Sequence, residues 1–354
     1  MQPLFEQTVF SVGAQDYTRT DVVLAAIMWG AWHELKQDVQ HGVACLKRMK
    51  ETGDAPSQDE VDAAVKEFRY EHDLLTGEEA RQWLKRWELS LEDWTNYFRY
   101  SLLRHRWTTA ELEDLGAQFP VDAKELGRYL KVESICSGRL ARWTRKLAGR
   151  AAVYEMERAA ATGDGCVESP VDFAVPELSE VEEALLGTLS HEVFRARMEQ
   201  LWRFEKCYEA VRRRALTPEA IESEIDSHFL PWLKFDCRHV SFRDEGAARE
   251  AALCVREDGQ DLSAVAAEAR ADMHETIIYL EQAAPELKED LLGAEVGALV
   301  GPFRQADAFT LYLVVDKIVP SAGDAETRRR AEKSVLRVLL EHEINRRVRW
   351  HTDG

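Results

Sequence analysis

The side chains best suited to chemistry in this 354-residue sequence are ten histidines and six cysteines, and both sets are scattered. No two cysteines form a Cys-x-x-Cys pair, so the local spacing of a zinc cluster or a redox dithiol is absent. The sequence also lacks His-Glu-x-x-His, Gly-x-Ser-x-Gly and Walker-type motifs. We therefore expect buried or idle thiols and no metal, nucleotide or organic cofactor.

The net charge of the chain limits the kinds of molecule that it is expected to bind. The chain has 64 acidic and 46 basic residues, a formal net charge of −18, which disfavours nucleic acids and anionic membranes. No apolar stretch approaches the roughly 20 residues of a membrane helix. The first 30 residues lack the basic and apolar regions of a signal peptide. These features predict a cytoplasmic protein with no nucleic-acid or membrane partner.

Helical spacing of apolar residues dominates the first two thirds of the chain. Residues 21–50 and 121–160 are both predicted to be helical. Between them Trp94, Tyr97 and Phe98 fall on one helical face, where core packing is favoured over a ligand site. We therefore expect the elements that position a catalytic residue to lie further along the chain.

Two changes of pattern divide the sequence. Residues 161–178 are rich in Gly, Pro, Ser and Asp, which predicts a linker. After further helices, residues 235–242 alternate like a strand, two helical segments follow, and residues 309–319 have the composition of a buried strand. The last helical segment, 325–350, has an apolar face and needs a partner surface elsewhere in the fold.

These segments resemble the parvulin-type (PpiC, rotamase) peptidyl-prolyl isomerases with a SurA-like chaperone region. Arg238-His239-Val240 resembles the first strand of the parvulin module, with its histidine, and Asp261–Ala266 resembles a helix of that module. The stretch from Pro285 to Pro302 resembles its C-terminal half. Upstream, residues 10–22 and 57–103 resemble the N-terminal strand and helices of SurA-like chains.

The resemblance implies an α+β fold. It consists of a mainly helical chaperone-like body, an inserted small parvulin-like α/β module, and a C-terminal helix that packs back on the body. Residues 108–190 resemble no part of this pattern. The implied domains are a helical SurA-like N-terminal region (1–160), a linker (161–178), a helical lead into the module (179–233), the parvulin-like module (234–320) and the C-terminal helix (321–354).

The resemblance also implies catalytic positions. A parvulin stabilises a twisted prolyl amide with two histidines on neighbouring strands and an aspartate or cysteine beside them. His239 and Asp272 match two of these positions, whereas Thr310 stands at the second histidine position. The glycine-rich loop of the family is shortened here to residues 273–276. His239 can alternatively be a core histidine on a buried strand, and Asp272 a surface acid at the end of a helix.

The proline pocket departs from the family pattern as well. Ala283 and Leu287 occupy the positions of a pocket-lining methionine and phenylalanine, and Phe309 is assigned with them to peptide binding. Smaller side chains predict a shallower pocket. The substituted pocket and the threonine therefore predict weak or lost isomerase activity.

Three functions follow from the resemblance. The first is a foldase or chaperone that binds extended or proline-containing segments of a client polypeptide, with isomerase activity weak or lost. The second is an active peptidyl-prolyl cis-trans isomerase. The third is a dedicated accessory factor for the maturation of one client, either a ribosomal precursor peptide or an enzyme subunit. The sequence leaves the client and the oligomeric state open, a homodimer included.

Overall fold

The chain folds into two compact units. The computed structural model describes residues 4–160, 176–187 and 189–351. Unit 1 comprises Met1–Val211 with Leu340–Gly354, and unit 2 comprises Arg212–Leu339. Both units combine helices with a small antiparallel sheet, which confirms the predicted α+β class. Within the described ranges, each helix is too short or too polar to cross a membrane.

Unit 1 is a helical body with a three-stranded sheet of order β2-β1-β7. Its strands are β1 (Thr8–Val12), β2 (Gln15–Thr18) and β7 (Val348–Trp350). Its helices are α1 (Arg19–Met28), α2 (Ala31–Thr52), α3 (Gln58–Glu71), α4 (Gly77–Arg86), α5 (Leu91–Arg104), α6 (Thr109–Gln118), α7 (Ala123–Cys136), α8 (Arg139–Ala159), α9 (Glu180–Leu186) and most of α10 (His191–Ala215). A short 3-10 helix, Leu4–Glu6, precedes β1. Phe10, Leu35 and Leu147 are completely buried in the core.

Two segments predicted as helical are each divided into two helices at a glycine. Residues 21–50 form α1 and α2, separated at Gly30, and residues 121–160 form α7 and α8, separated at Gly138. The two glycines have φ angles of +75° and +68°, a left-handed conformation that side-chain-bearing residues rarely adopt. Helical periodicity continues across both breaks, so the apolar spacing alone did not reveal them.

The C-terminal segment returns to unit 1, as predicted. Helix α15 (Ala325–Arg347) begins in unit 2 and ends in unit 1, where Leu340 and Ile344 lie next to Gly149 of α8. Strand β7 then pairs with β1, with Trp350 opposite Phe10. The apolar face of the helix thus finds the partner surface that the sequence required.

The segments without a counterpart in the resemblance are helical where they are described. Residues 108–190 contain α6, α7, α8 and α9. Most of the predicted linker, residues 161–175, lies outside the described residues. The exact domain borders therefore stay predictions.

Unit 2 is built around a four-stranded antiparallel sheet of order β4-β3-β6-β5. The strands are β3 (Lys234–Phe242), β4 (Met273–Tyr279), β5 (Leu299–Gln305) and β6 (Ala308–Ile318). The helices are α11 (Pro218–Ser227), α12 (Glu245–Arg256), α13 (Leu262–Glu268) and α14 (Pro285–Gly293), with the first part of α15. A 3-10 helix, Leu280–Gln282, follows β4.

The two faces of this sheet are covered by different helices. Side chains alternate along a strand, so Val240 and Phe242 of β3 point to one face and Phe235 and Cys237 to the other. The first pair packs with α12 and α13. The second pair packs with Leu287 and Leu291 of α14. We call these the α12 face and the α14 face.

The prediction of only two strands in this region was incomplete. Residues 273–276, expected as a shortened loop, are part of strand β4, and β5 was also missed. Strand β4 lies at the edge of the sheet, and four of its seven residues are exposed, with members on each face. It therefore lacks the regular alternation of apolar and polar residues by which strands are recognised. Strand β5 is interrupted by Gly301-Pro302, a typical turn signal.

A buried lysine connects the start of α15 to the sheet. Lys234 Nζ lies 3.1 Å from Asp324 Oδ2 and 2.8 Å from Glu326 Oε2, and only 6% of the residue is exposed. Burial opposes its charge, but hydrogen bonds to the two carboxylates outweigh that effect and raise the pKa of Lys234. Asp324 also accepts hydrogen bonds from the Thr327 hydroxyl and main-chain N–H, which with Lys234 hold its carboxyl pKa far below its usual range.

We expect Lys234→Met to lower the free energy of unfolding of unit 2 by about 1–3 kcal/mol, because it removes charge-assisted hydrogen bonds from a buried site. The difference from wild type should shrink below about pH 4, where the unfolded carboxyls titrate, because a depressed carboxyl pKa stabilises the fold only above that range. Urea unfolding at several pH values measures the free energy of unfolding and its dependence on pH. Lys333→Met, at an exposed position of α15, is the control and should unfold like wild type. Equal losses of unfolding free energy in Lys234→Met and Lys333→Met would contradict the stabilising role of the Lys234 contacts.

Candidate functional site

Part of the α14 face is open to solvent and carries the predicted histidine. Beyond the buried Phe235 and Cys237, strand β3 presents His239, which is half-buried, and Ser241, which is exposed, on the same face. Thus an apolar, helix-covered half of the face adjoins a polar, open half. We call the open half the candidate site.

Three rings lie side by side across the strands of the candidate site. In the sheet register His239 is opposite His274 of β4 and opposite Tyr312 of β6. The His239 ring centroid is 5.5 Å from that of His274 and 5.6 Å from that of Tyr312. Phe303 of β5 continues the row, 6.3 Å from Tyr312. His274 is exposed and His239 and Phe303 are half-buried, so these three rings can contact an apolar or planar group, whereas Tyr312 lies almost buried between the last two.

The environment of His239 favours the neutral form of its side chain at physiological pH. Burial lowers the pKa of its imidazole from the usual value of about 6.5, and the neighbouring His274 lowers it further. Its Nδ1 atom is buried and has no hydrogen-bond partner among the described residues. A neutral imidazole can donate from one nitrogen and accept at the other. Because Nδ1 is buried, its unused hydrogen-bonding capacity lies below the surface of the site, and only the rest of the half-buried ring can contact a bound molecule.

Hydroxyl and amide groups complete the candidate site. Ser241 Oγ and Thr310 Oγ1 are 2.9 Å apart, and Gln305 Nε2 donates to the Tyr312 hydroxyl at 2.7 Å. Thr310 is only 1% exposed and Tyr312 only 6%. Ser241 and Gln305 are therefore the members of these pairs that a bound molecule can reach.

The candidate site offers hydrogen-bonding groups beside aromatic rings. Ser241 shares its hydrogen bond with Thr310, and no described contact links it to His239 as a nucleophile would be linked to its base. Within the described ranges, no group of three or more His, Cys, Asp or Glu side chains is arranged to hold a metal ion. Neutral donors and acceptors beside aromatic rings suit an uncharged peptide group with an apolar side chain.

The predicted catalytic residues are only partly brought together. His239 and Thr310 lie on the same face of neighbouring strands. Asp272 is an exposed residue immediately before β4, two positions from His274. Thr310 is almost completely buried, and its hydroxyl lies 2.9 Å from that of Ser241. The catalytic roles assigned to these residues stay predictions.

The three residues predicted to bind peptide are separated by the sheet. Ala283 and Leu287 pack in the cluster beneath α14, where Leu287 is 4% exposed and offers almost no surface. Phe309 packs with the opposite cluster, on the α12 face. Its neighbour Thr310 faces the other way because side chains alternate along β6. Phe309 is therefore not beside His239.

Sequence reasoning missed most of the open surface. His274 was placed in a loop, and Ser241, Phe303, Gln305 and Tyr312 were not singled out. A signal was present for two of them: Ser241 and Tyr312 each lie two positions from a predicted catalytic residue along a strand, which places them on the same face. His274 could not be found without recognising β4 and its register.

A second concave surface lies in unit 1. A cleft of about 340 Å³ is lined by α3, α5 and the end of α7, with Tyr97 and Phe98 among its walls and the exposed Glu67 and Glu71 on α3. Phe98 and Trp94 are each 5% exposed, and their rings meet edge to face at 5.4 Å. The aromatic stripe of α5 is therefore mainly core, as expected, and Tyr97 is its half-exposed member.

No protein-family model matches the chain, and no curated protein matches it. Among solved structures, the chain is similar to the foldase protein PrsA of Streptococcus pneumoniae, with 11% identity, 96% of this chain and 92% of that chain covered, and a TM-score of 0.26. It is also similar to a structure from the SurA-like chaperones PEB4, a virulence factor, and Cj1289, a periplasmic protein, of Campylobacter jejuni. That match has 9% identity, covers 98% of this chain and 99% of that chain, and has a TM-score of 0.19. TM-scores this low establish no shared overall arrangement.

We expect the His239 imidazole to titrate below about pH 6.5 in NMR spectra of the folded protein. In His274→Gln its pKa should rise but stay below that value, because burial is the larger cause of the shift. The unfolded chain binds this proton more readily, so the shift also makes unit 2 less stable as the pH falls through that range. A His239 pKa at or above the ordinary value, or one unchanged in His274→Gln, would contradict the described environment.

Proposed function

We propose that this chain is a foldase or chaperone that binds extended segments of a client polypeptide at the candidate site. The observation that supports it is a row of rings beside exposed polar groups on an open sheet face: His274, His239, Tyr312 and Phe303 follow one another across the four strands, and the exposed Ser241 lies on the same face. Backbone amides need donors and acceptors, and apolar side chains need a ring surface. An open face can accept a chain that continues beyond both ends of the site.

A segment bound here need not be charged. The exposed groups of the candidate site are imidazole, hydroxyl, amide and phenyl, whereas the protein as a whole carries a net charge of −18. That net charge favours clients that are neutral or basic, because acidic chains are repelled. Affinity would come from ring contacts and hydrogen bonds, with the charge contributing mainly to the association rate.

Peptidyl-prolyl isomerisation is the second candidate function, and one observation favours it. The resemblance placed a threonine where a parvulin has its second histidine, yet the structure has a different pair of histidines on neighbouring strands, His239 and His274. Isomerisation breaks no covalent bond; it requires stabilisation of a twisted amide whose barrier is about 18–20 kcal/mol. A neutral imidazole that donates to the amide as it twists would lower that barrier.

We expect wild-type protein to bind a permanently unfolded basic probe, fluorescein-labelled lysozyme with reduced and alkylated cysteines, at micromolar concentrations. His274→Ala should raise the Kd about five- to tenfold, because it removes an exposed ring and donor from the candidate site. Fluorescence anisotropy measures the Kd of the wild type and of the variant. His33→Ala, an exposed histidine of α2, is the matched control and should bind like wild type.

The result against this proposal would be an absence of binding by folded wild-type protein, or an equal loss in His274→Ala and His33→Ala. A panel of unrelated unfolded probes then separates a general chaperone from an accessory factor with one client. Binding to all of them supports the former, and binding to none but a single native precursor supports the latter.

The isomerase candidate predicts faster cis-trans exchange of a proline-containing peptide in the presence of wild-type protein. His239→Ala should abolish that acceleration and His274→Ala should lower kcat/KM about tenfold or more, as expected for loss of a group in acid-base or hydrogen-bonding catalysis. Exchange NMR measures the rate directly. A background rate with protein shown to be folded and to bind the peptide would reject catalysis and leave binding intact.

A further inference from the structure

The two edges of the unit 2 sheet differ in how they are protected. At the β5 edge, Arg256 donates to the main-chain oxygens of Leu299 and Gly301 at 3.0 and 2.8 Å, and Pro302 has no N–H to offer. At the β4 edge, no described side chain or loop hydrogen-bonds to the main chain of residues 273–278 from outside the sheet. Natural sheets usually block such an edge.

The register shows which main-chain groups of β4 are free. The Leu280 N–H donates to the Leu233 carbonyl at 3.0 Å. Because hydrogen-bonded positions alternate along an antiparallel pair, residues 274, 276 and 278 turn their N–H and C=O groups toward β3. Met273, Glu275 and Ile277 therefore turn theirs outward. Their side chains lie on the α12 face, opposite to that of His274.

The side chains along this edge are apolar at both ends. Met273 is 36% exposed and Ile277 is 56% exposed. Between them, Glu275 forms an ion pair with Arg238 at 3.4 Å, so part of its charge is compensated within the sheet. A strand with apolar residues at alternate positions would cover both exposed side chains.

We propose that the outer edge of β4 binds an extended client segment as an added antiparallel strand, through main-chain hydrogen bonds to Met273, Glu275 and Ile277. This inference rests on the proposed function and identifies the main-chain contact for the same client. Strand addition provides affinity that is independent of side-chain sequence, while alternate side chains are sorted onto the two faces. Those on one face lie beside His274, and those on the other lie beside Met273 and Ile277.

The surface chemistry favours a client segment over a second copy of this chain. Each copy carries a net charge of −18, so two copies repel each other, whereas a neutral or basic segment is not repelled. The edge is also continuous with the candidate site through His274, which is paired with His239. A chain that follows the edge therefore meets the ring row at its first member, His274.

The direct test uses a labelled peptide that alternates valine and threonine between terminal lysines. In an antiparallel added strand, the residues that donate to β4 carry their side chains on the α12 face, where Met273 and Ile277 favour valine. N-methylation of the valines should therefore raise the Kd at least about tenfold, and N-methylation of the threonines should change it less than about threefold. Equal affinities of the three peptides would overturn the proposal.

The matched variants test the same edge from the protein side. Met273→Lys combined with Ile277→Lys adds two charges at exposed edge positions and should raise the Kd of the unmethylated peptide about tenfold. Leu253→Lys combined with Val296→Lys adds the same charge at positions that are 58% and 59% exposed, and should leave it unchanged. If the edge variant dissociates a dimer in sedimentation without altering peptide affinity, a second copy occupies the edge and the proposal is wrong.

These outcomes are separable from failure of the proposed function. If unfolded lysozyme binds and His274→Ala weakens it, but methylation and edge charges have no effect, the client contacts the face and not the edge. If neither lysozyme nor the peptide binds, the proposed function itself is wrong, and the edge proposal falls with it.

Discussion

The alternation of side chains along β3 is the constraint on which unit 2 depends. This strand pairs on both sides, with β4 and β6, so a shift by one residue would exchange its two faces. Phe235 and Cys237 must be buried under α14, and Val240 and Phe242 under α12. With the register fixed by these four side chains, His239 is held at the border between the covered and the open half of the α14 face.

The same constraint explains what the sequence could predict. The helices, strand β3 and the returning C-terminal segment all have strong periodicity or a recognisable resemblance, and each is present. Strand β4 has neither because it lies at an edge, and His274 was missed for that reason alone. Phe309 was assigned to peptide binding and Thr310 to catalysis in one site, whereas the pleat of β6 places them on opposite faces. Pairing partners across a sheet are non-local information, which a single sequence does not contain.

The open half of the α14 face and the helix-covered half have complementary roles. The covered half supplies stability, because Leu280 and Leu291 are fully buried in its cluster. The open half keeps a neutral imidazole and exposed hydroxyl and amide groups. These exposed groups can exchange their hydrogen bonds to water for hydrogen bonds to a ligand. A polypeptide backbone offers matching groups whatever its sequence, as the proposed foldase or chaperone role requires.

Site-specific photo-crosslinking shows directly whether a client binds on the α14 face. Phe303→p-benzoylphenylalanine places the reactive group in the aromatic row of the α14 face, and the same replacement of Leu253 places it on exposed α12. With alkylated, unfolded lysozyme as the client, we expect efficient crosslinking from position 303 and little from position 253. Excess unlabelled client should reduce the crosslinking from position 303. Crosslinking from position 253 alone, or equal and non-competable crosslinking from both positions, would contradict a client site on the α14 face.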